Sequence, residues 1–385
     1  MRRRVPLAWL QLSRDKLRLL VAMAGVAFAT ILVSMQLGFR GAVYDSAVRY
    51  HRHLRYDLVM LNPETPFIGF SESFTRRRLY QALGSEEVSG VSALYLEQGL
   101  WKNPWRHNSR NILVVGIDPA AEVFDLPGIS QWRETLKLPD VALFDRDSRP
   151  EFGPVAAHVK QAGVLSVEVN DRRIGVVGLF GLGTSFGIDG SLVTSALNFQ
   201  RLFPSRLPGL IDLGLIYLRA GASPEGVRRR LANALEPDVE ILTREEFIDR
   251  EMDYWSSTTP IGYVFGFGAV MGLIVGGVIV YQILFADVSE HLAEYATLKA
   301  MGYTHRQISW FVLREATLLA VLGFVPGLLM GLVLYRVTAQ ATRLPLEMTL
   351  DRGLSVLVLT LMMCGVAGLM ALGKVRAADP AEVFG

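Results

Sequence analysis

The sequence has one cysteine, Cys364, in 385 residues. A lone thiol forms no intramolecular disulfide and no cysteine-based metal site. It falls in an apolar run, where a small packing residue is expected. No G-x-x-x-x-G-K-[ST] stretch exists. The glycine cluster GLFGLGTSFG at 178–187 lacks both the lysine and the spacing of a phosphate-cradling loop. If the chain does energy-driven work, the nucleotide binds another chain. Histidine is scarce, at six. His51 and His53 stand two apart and cannot share a helix face, and no histidine pair has the spacing of a metal-binding helix. An excess of one charge is also missing: the net charge is +2, which points to no nucleic-acid partner. Internal repeats and low-complexity tracts are absent.

What the sequence does have is long stretches without charge. Leu19–Phe39, Ile261–Ala286, Thr317–Tyr335 and Leu354–Gly373 are nearly free of it. At about 1.5 Å rise per residue, each is long enough for a hydrocarbon core about 30 Å thick. Buried helices of a soluble domain rarely run so far without a charge. The first window is longer than a signal-peptide core of roughly 7–15 residues and is not closed by an A-x-A-like site, so it reads as an uncleaved anchor. Arg2, Arg3, Arg4, Arg14, Lys16 and Arg18 precede or open it against Asp15 alone, which holds that side in the cytoplasm. Arg336, Arg343 and Arg352 fall in a loop this scheme places outside, so the first span carries most of the orientation.

The expected fold class is a membrane protein with four transmembrane helices and a large α+β extracytoplasmic domain between the first and second. The expected order is a cytoplasmic N-terminus (1–18), span one (19–39), a periplasmic domain (40–260), span two (261–286) and a cytoplasmic segment (287–314). Span three (315–335), a short periplasmic loop (336–353), span four (354–373) and a cytoplasmic tail (374–385) follow. Both termini lie inside, in a bacterial inner membrane.

The 40–260 insertion can bury its own core. DLVML (57–61), VSALYLEQGLW (91–101), NILVVGI (111–117), VALF (141–144), VLSVEV (164–169) and IGVVGLF (174–180) read as strands. VEVNDRRIGVV reads as a hairpin with Asn170-Asp171 near its turn. SFTRRRLYQALG (73–84) and SPEGVRRRLANAL (223–235) read as helices, the second with Ser223 as N-cap and Pro224 at the first helical position. VEIL (239–242) follows as a strand. The order suggests an α+β domain with room for two lobes.

GTSFG (183–187) matches G-x-S-x-G, with Ser185 in the nucleophile position. That order requires a later histidine. Only His291 and His305 follow, both placed across the membrane, so a glycine-rich turn after a strand is the better reading. The spans lack ionisable residues in mid-membrane, unlike many ion-coupled transporters. They carry glycines at four-residue spacing instead: Gly262 and Gly266, then Gly268, Gly272 and Gly276, then Gly323, Gly327 and Gly331. Such series let helix backbones approach closely in lipid, within one chain or between two. Pro326 interrupts the third span and is expected to kink it.

Between spans two and three, Asp287, Glu290 and Glu294 recur at helical spacing, with Val288, Leu292 and Tyr295 as an apolar stripe. Gly302 is placed to end this helix in the left-handed region. Thr304 and Gln307 form a T-x-x-Q capping box for the next helix, which runs through Trp310 and Phe311 into the membrane. A mere connection needs about 2–8 residues. A longer ordered hairpin suggests a docking surface, and its acidic face disfavours anionic lipid as the partner.

LAEYATLKAMGYTHRQI (292–308) resembles the cytoplasmic coupling segment of the FtsX-like permease family, and KVRAADPAEVF (374–384) resembles that family's closing stretch. FADVSEHLAEYATLKAMGYT (285–304) and VEVNDRRIGVVGLFGLGTSFGIDGSLVTS (167–195) are similar to DevC-type permeases of ABC exporters, within the MacB-type group. The resemblance implies a non-catalytic permease subunit that binds no cofactor itself. ATP and Mg belong to a separate ABC ATPase subunit. It also implies a homodimer, a periplasmic adaptor (membrane-fusion) protein and a TolC-like outer-membrane channel, with mechanotransmission moving a cargo such as a glycolipid or another amphiphile. Residue by residue, it places ATPase docking on Glu290, Glu294, Tyr295, Lys299, Ala300, Met301 and Gly302. The alternative is an FtsX- or LolCE-like relative that extracts lipoproteins or regulates cell-wall hydrolases.

Overall fold

The computed structural model describes residues 16–126, 128–291, 294, 295, 297, 299 and 301–373. The basic residues before Lys16 and the tail from Lys374 lie outside the described residues, as do Leu292 and Ala300. The chain divides into two compact units. One takes in Met1–Ala42, Ile261–Ala339 and Leu346–Gly385; the other is Val43–Pro260 with Gln340–Pro345.

The second unit is built on strands β1 (Leu58–Leu61), β2 (Phe74–Thr75), β3 (Val88–Lys102), β4 (Ser109–Ile117), β5 (Val141–Asp145) and β6 (Leu165–Val169). They continue with β7 (Arg172–Phe180), β8 (Ser191–Ser195), β9 (Leu210–Ile211), β10 (Leu213–Leu218) and β11 (Glu240–Thr243). Nine of them form one sheet in the order β11-β1-β10-β3-β4-β8-β5-β7-β6, and β2 pairs with β9 separately. The β4–β8 and β5–β7 pairs are parallel. The last strand, β6, also returns to β3 through Trp101↔Val169 and Lys102↔Glu168. Six of the strands therefore close into a ring, while the 15-residue β3 extends beyond it to pair with β10. The sheet is continuous through β3, which the ring and the β11-β1-β10 set share.

Strand side chains alternate between faces, and the two cores follow that period. Ile112 and Val114 of β4 enter one core with Trp101, Phe152 and Phe199. Leu113 and Val115 enter the other, with Tyr50, Phe180 and Phe247. Both faces of the central strands are therefore covered, which explains their unbroken apolar runs. The β6–β7 turn has Asn170 at φ 50° and Asp171 at φ 59°. Two consecutive positive φ angles make the type I′ geometry that matches strand twist, and Asn and Asp tolerate it.

The helices Arg76–Ala82 and Pro224–Ala234 are capped by Thr75 and Ser223, whose side chains accept from Arg77 and Gly226 N–H groups. The helix Arg244–Asp253 opens with a complete capping box between Thr243 and Glu246.

Among the described residues, four helices, lying for the most part in the first unit, are long and apolar enough to cross a membrane: Leu19–Ala47, Pro260–Glu290, Arg306–Thr342 and Leu350–Ala371. The third continues helically through Pro326. Cys364 is buried among Ala22, Leu319, Ala320 and Ala367, the apolar packing role its sequence context suggests.

Candidate functional site

The segment between the second and third apolar helices folds as a helical hairpin. Backbone bonds His291 N–H to Asp287 O (3.2 Å), Tyr295 N–H to His291 O (3.1 Å) and Met301 N–H to Thr297 O (3.0 Å) continue the helix past Glu290. Gly302 ends it at φ 92°, in the left-handed region that favours glycine. Helical bonding resumes with Ile308 N–H to Thr304 O at 3.2 Å. Gln307 Oε1 accepts from both the Thr304 N–H (2.8 Å) and the Thr304 hydroxyl (2.9 Å). Here the Thr304 hydroxyl donates to the Gln307 side chain, where a full reciprocal box would have it accept from the Gln307 backbone.

The two arms meet in a small core of Val288, Tyr295, Ile308 and Val312, closed by Leu372 from the end of the fourth apolar helix. Burial pushes the Tyr295 hydroxyl well above its ordinary pKa, and the nearby charges of Glu315, Asp287 and Glu294 add to the shift. Tyr295 is therefore buried and braces the hairpin from within, unlike the exposed members of the docking set. Glu290, Glu294, Met301 and Gly302 are exposed, and Lys299 is half-buried. Two exposed aromatics that the docking set omitted join them: Tyr303 beside Gly302, and Trp310, with the Arg314 guanidinium 5.4 Å over its ring. Their signal was present in the sequence, as aromatics on the polar side of an amphipathic stretch. The buried carboxyl residue Glu315, at the start of the apolar run, was also passed over.

The glycine series pack inside the chain, on either side of the first helix. A Cβ on Gly268 would stand 2.5 Å from Gln36 Nε2, and one on Gly272 would stand 3.2 Å from Leu32 Cβ. On Gly276 it would overlap Ala29 and lie 2.7 Å from Met363 Sδ. From the third helix, Gly323 abuts Val26, and a Cβ on Gly327 would stand 2.8 Å from Thr30 Cβ and 2.9 Å from Ala27 O. One on Gly331 would stand 3.1 Å from Ser34 Oγ. Tyr335 adds a hydroxyl bond to Ser34 O at 2.5 Å, and the Thr30 and Thr360 hydroxyls meet at 3.4 Å. Close backbone approach allows these contacts. Gly266 has nothing within 4 Å of an added Cβ and takes no part. Gly262 is half-buried at the start of its helix.

Ser185 is buried in the turn between β7 and β8, its N–H bonded to Ile188 O at 2.9 Å.

Residues 266–380 match the family model described as FtsX-like permease C-terminal. That stretch includes the hairpin and most of the second to fourth apolar helices. An uncharacterized ABC transporter permease of Mycobacterium tuberculosis, matched in two strains, is 24% identical over 278 residues, 72% of this chain and 70% of its own length. A macrolide export ATP-binding/permease protein, MacB, of Bradyrhizobium diazoefficiens is 34% identical over 79 residues, 20% of this chain and 12% of that protein. Among solved structures, the periplasmic region of MacB from Actinobacillus actinomycetemcomitans aligns with TM-score 0.36 and 11% identity over 51% of this chain and 92% of its own. The extracellular domain of the transporter YknZ from Gram-positive bacteria aligns with TM-score 0.34 and 11% identity, covering 49% of this chain and 99% of that one.

Proposed function

We propose, for a multi-pass chain that carries the FtsX-like permease domain and is related to ABC transporter permeases, that it is the membrane subunit of an ATP-driven exporter. Its ATPase is a separate chain, which binds the ATP and Mg. The observation that carries this reading is the 287–316 hairpin inside the matched domain. It packs its two arms on a small apolar core closed by Leu372, has a left-handed glycine stop, and presents Glu290, Glu294 and Met301 to solvent. A connection lying passively on lipid needs neither this packing nor the outward acidic face. Exposed Met supplies adaptable apolar contact, and the carboxylates supply attraction to a basic partner.

In this reading two copies of the chain form the permease, and both termini lie in the cytoplasm. The sheet domain works on the far side of the membrane with an adaptor protein and an outer-membrane channel. It pushes an amphiphile, a glycolipid being one candidate class, outward without a midplane site. Docking falls on Glu290, Glu294, Lys299, Ala300, Met301 and Gly302. Tyr303 and Trp310 are added to that set.

The test is to purify the complex with Gly302→Pro or Glu294→Lys in the chain. Both variants are expected to insert and to lose ATPase binding and stimulation. Normal stimulation by either would contradict the docking assignment. Recovery of a lipoprotein-handling factor or a cell-wall hydrolase beside the ATPase would favour the extraction or regulatory relatives over export.

A further inference from the structure

Two stretches connect the sheet domain to the apolar helices in sequence, 43–57 and 244–260, and a third, 340–345, lies at the junction of the third and fourth apolar helices. All belong to the domain's own unit. All three meet the turn at 181–190 between β7 and β8. From the first, Arg49 Nη1 donates to Leu182 O at 3.1 Å, and the Tyr50 hydroxyl bonds Ser191 Oγ at the turn's end. From the second, the Trp255 ring stands edge-on to Phe186 at 5.9 Å. From the third, Arg343 O accepts from the Thr184 hydroxyl at 3.0 Å. Arg343 has φ 60°, an uncommon conformation for a non-glycine residue that its surroundings must hold.

The turn is fixed equally firmly to the sheet. The Asp145 carboxylate, at the end of β5, accepts from Leu182 N–H (3.0 Å) and Gly183 N–H (2.7 Å). Asp189 pairs with Arg149 Nε at 2.7 Å and Arg110 Nη2 at 2.6 Å. The glycines serve this crowding. A Cβ on Gly183 would overlap the Arg49 guanidinium, and one on Gly187 would lie 3.2 Å from both Phe67 and Trp255. That gives the G-x-S-x-G pattern a physical reason other than a nucleophile.

We propose that the 181–190 turn is a coupling joint, through which displacement of the three junction segments reaches the sheet, with Thr184, Phe186 and Gly187 as positioning residues. The proposal rests on the permease reading, in which motion must pass from the apolar helices to the outer domain. The physical ground is that one rigidly held turn binds all three segments. A shift of any one therefore pulls on the same backbone, and so on Asp145 and Asp189 in the sheet. Three separate tethers would let the segments move independently.

The test is hydrogen–deuterium exchange on the full chain in nanodiscs, with its co-purified ATPase, comparing the unaltered protein with a Thr184→Val, Phe186→Ala double variant. Without nucleotide, exchange at 254–258 and 340–345 is expected to rise several-fold to about tenfold in the variant, the scale of one lost hydrogen bond and ring contact. With ATP–magnesium trapped by vanadate, the unaltered chain is expected to change exchange at both 287–304 and 191–195. The variant should keep the first response and show a clearly reduced second, because the Arg49 and Tyr50 contacts of the first junction then remain, and Thr184→Ser, which retains the hydroxyl, should respond like the unaltered chain. An undiminished response at 191–195 in the double variant overturns the joint, as does unchanged exchange at both junction segments, with the permease reading left intact. No nucleotide response at 287–304 in the unaltered chain removes the permease reading, and the joint with it.

Discussion

A Cβ added to Gly276 would overlap Ala29 of a neighbouring apolar helix, while one added to Gly116 of β4 would stand 2.7 Å from Phe199 Cβ. Both positions are closed, for different reasons. In the helical unit the small residue brings two backbones together, because lipid gives no hydrophobic drive for association and packing must supply it. In the sheet domain the glycine makes room for a large ring in a water-excluding core of Trp101, Phe144, Phe152 and Phe199. The lesson is that large-residue substitutions should act on separate properties in the two units: helix assembly in one, core stability in the other.

The largest expected effect tests this directly. Gly327→Leu and Gly276→Leu each force a side chain into a neighbouring helix, and both are expected to abolish recovery of folded chain from detergent. Gly266→Leu meets open space and is expected to behave as the unaltered protein. Size-exclusion profiles of the three variants check this, and equal loss in all three would break the comparison. Next, Trp101→Ala is expected to cost the sheet domain about 3–5 kcal/mol, the usual range for emptying a large aromatic site. Limited proteolysis should then cleave within 43–260 first, and simultaneous loss of the helical unit would contradict two separately packed cores.

The sheet domain also carries a titration signature. His51 and Glu251 are buried, with Nε2 and Oε2 3.4 Å apart. Glu251 Oε2 accepts from the Ile68 N–H and Oε1 from Trp255 Nε1, each at 3.0 Å. Burial pushes Glu251 up to about 7 from 4.5 and His51 down to about 3 from 6.5. The raised Glu251 contributes stability that is fully present below pH 4.5 and is lost as pH rises through about 7. The lowered His51 contributes stability that is present above pH 6.5 and is lost as pH falls through about 3. Between pH 4.5 and 6.5 these two trends oppose and cancel. Glu251→Gln removes the glutamate trend alone, so across that window the variant's stability should rise relative to the unaltered protein's by about 1.4 kcal/mol per pH unit. Melting curves of both proteins against pH check it, and parallel profiles would refute the assignment.

The smallest effect is on the hairpin. Gly302→Ala at φ 92° is expected to cost about 1 kcal/mol locally. Faster exchange confined to 297–304 would show it, with the melting point of the sheet domain unmoved.

Local chemistry was the legible part of this fold. Asn170-Asp171, Ser223-Pro224 and Gly302 each dictate a backbone conformation within a few residues, and the structure places a turn, a helix start and a helix stop there. β8 and β10 were missed. β8 follows a glycine run and is SLVTS, whose serines and threonine read as loop until burial inside the sheet makes it a strand. The helix Arg244–Asp253 was missed although Thr243 and Glu246 spell its capping box, because the preceding VEIL drew the reading toward strand. The glycine series were visible, but their shared partner was not, since Gly276 and Gly327 reach one helix from sequence positions hundreds of residues away. In the hairpin, the apolar stripe that buries Tyr295 was visible in the sequence.

The most direct test of the central claim is what comes away with the chain. The tagged protein would be extracted in mild detergent at native expression, with ATP held bound, and its companions identified by mass spectrometry. The account predicts an ABC ATPase that is retained by the unaltered chain and lost from Glu294→Lys. Recovery of the intact chain with no ATPase would mean that the 287–316 hairpin is a connection lying on lipid rather than a dock.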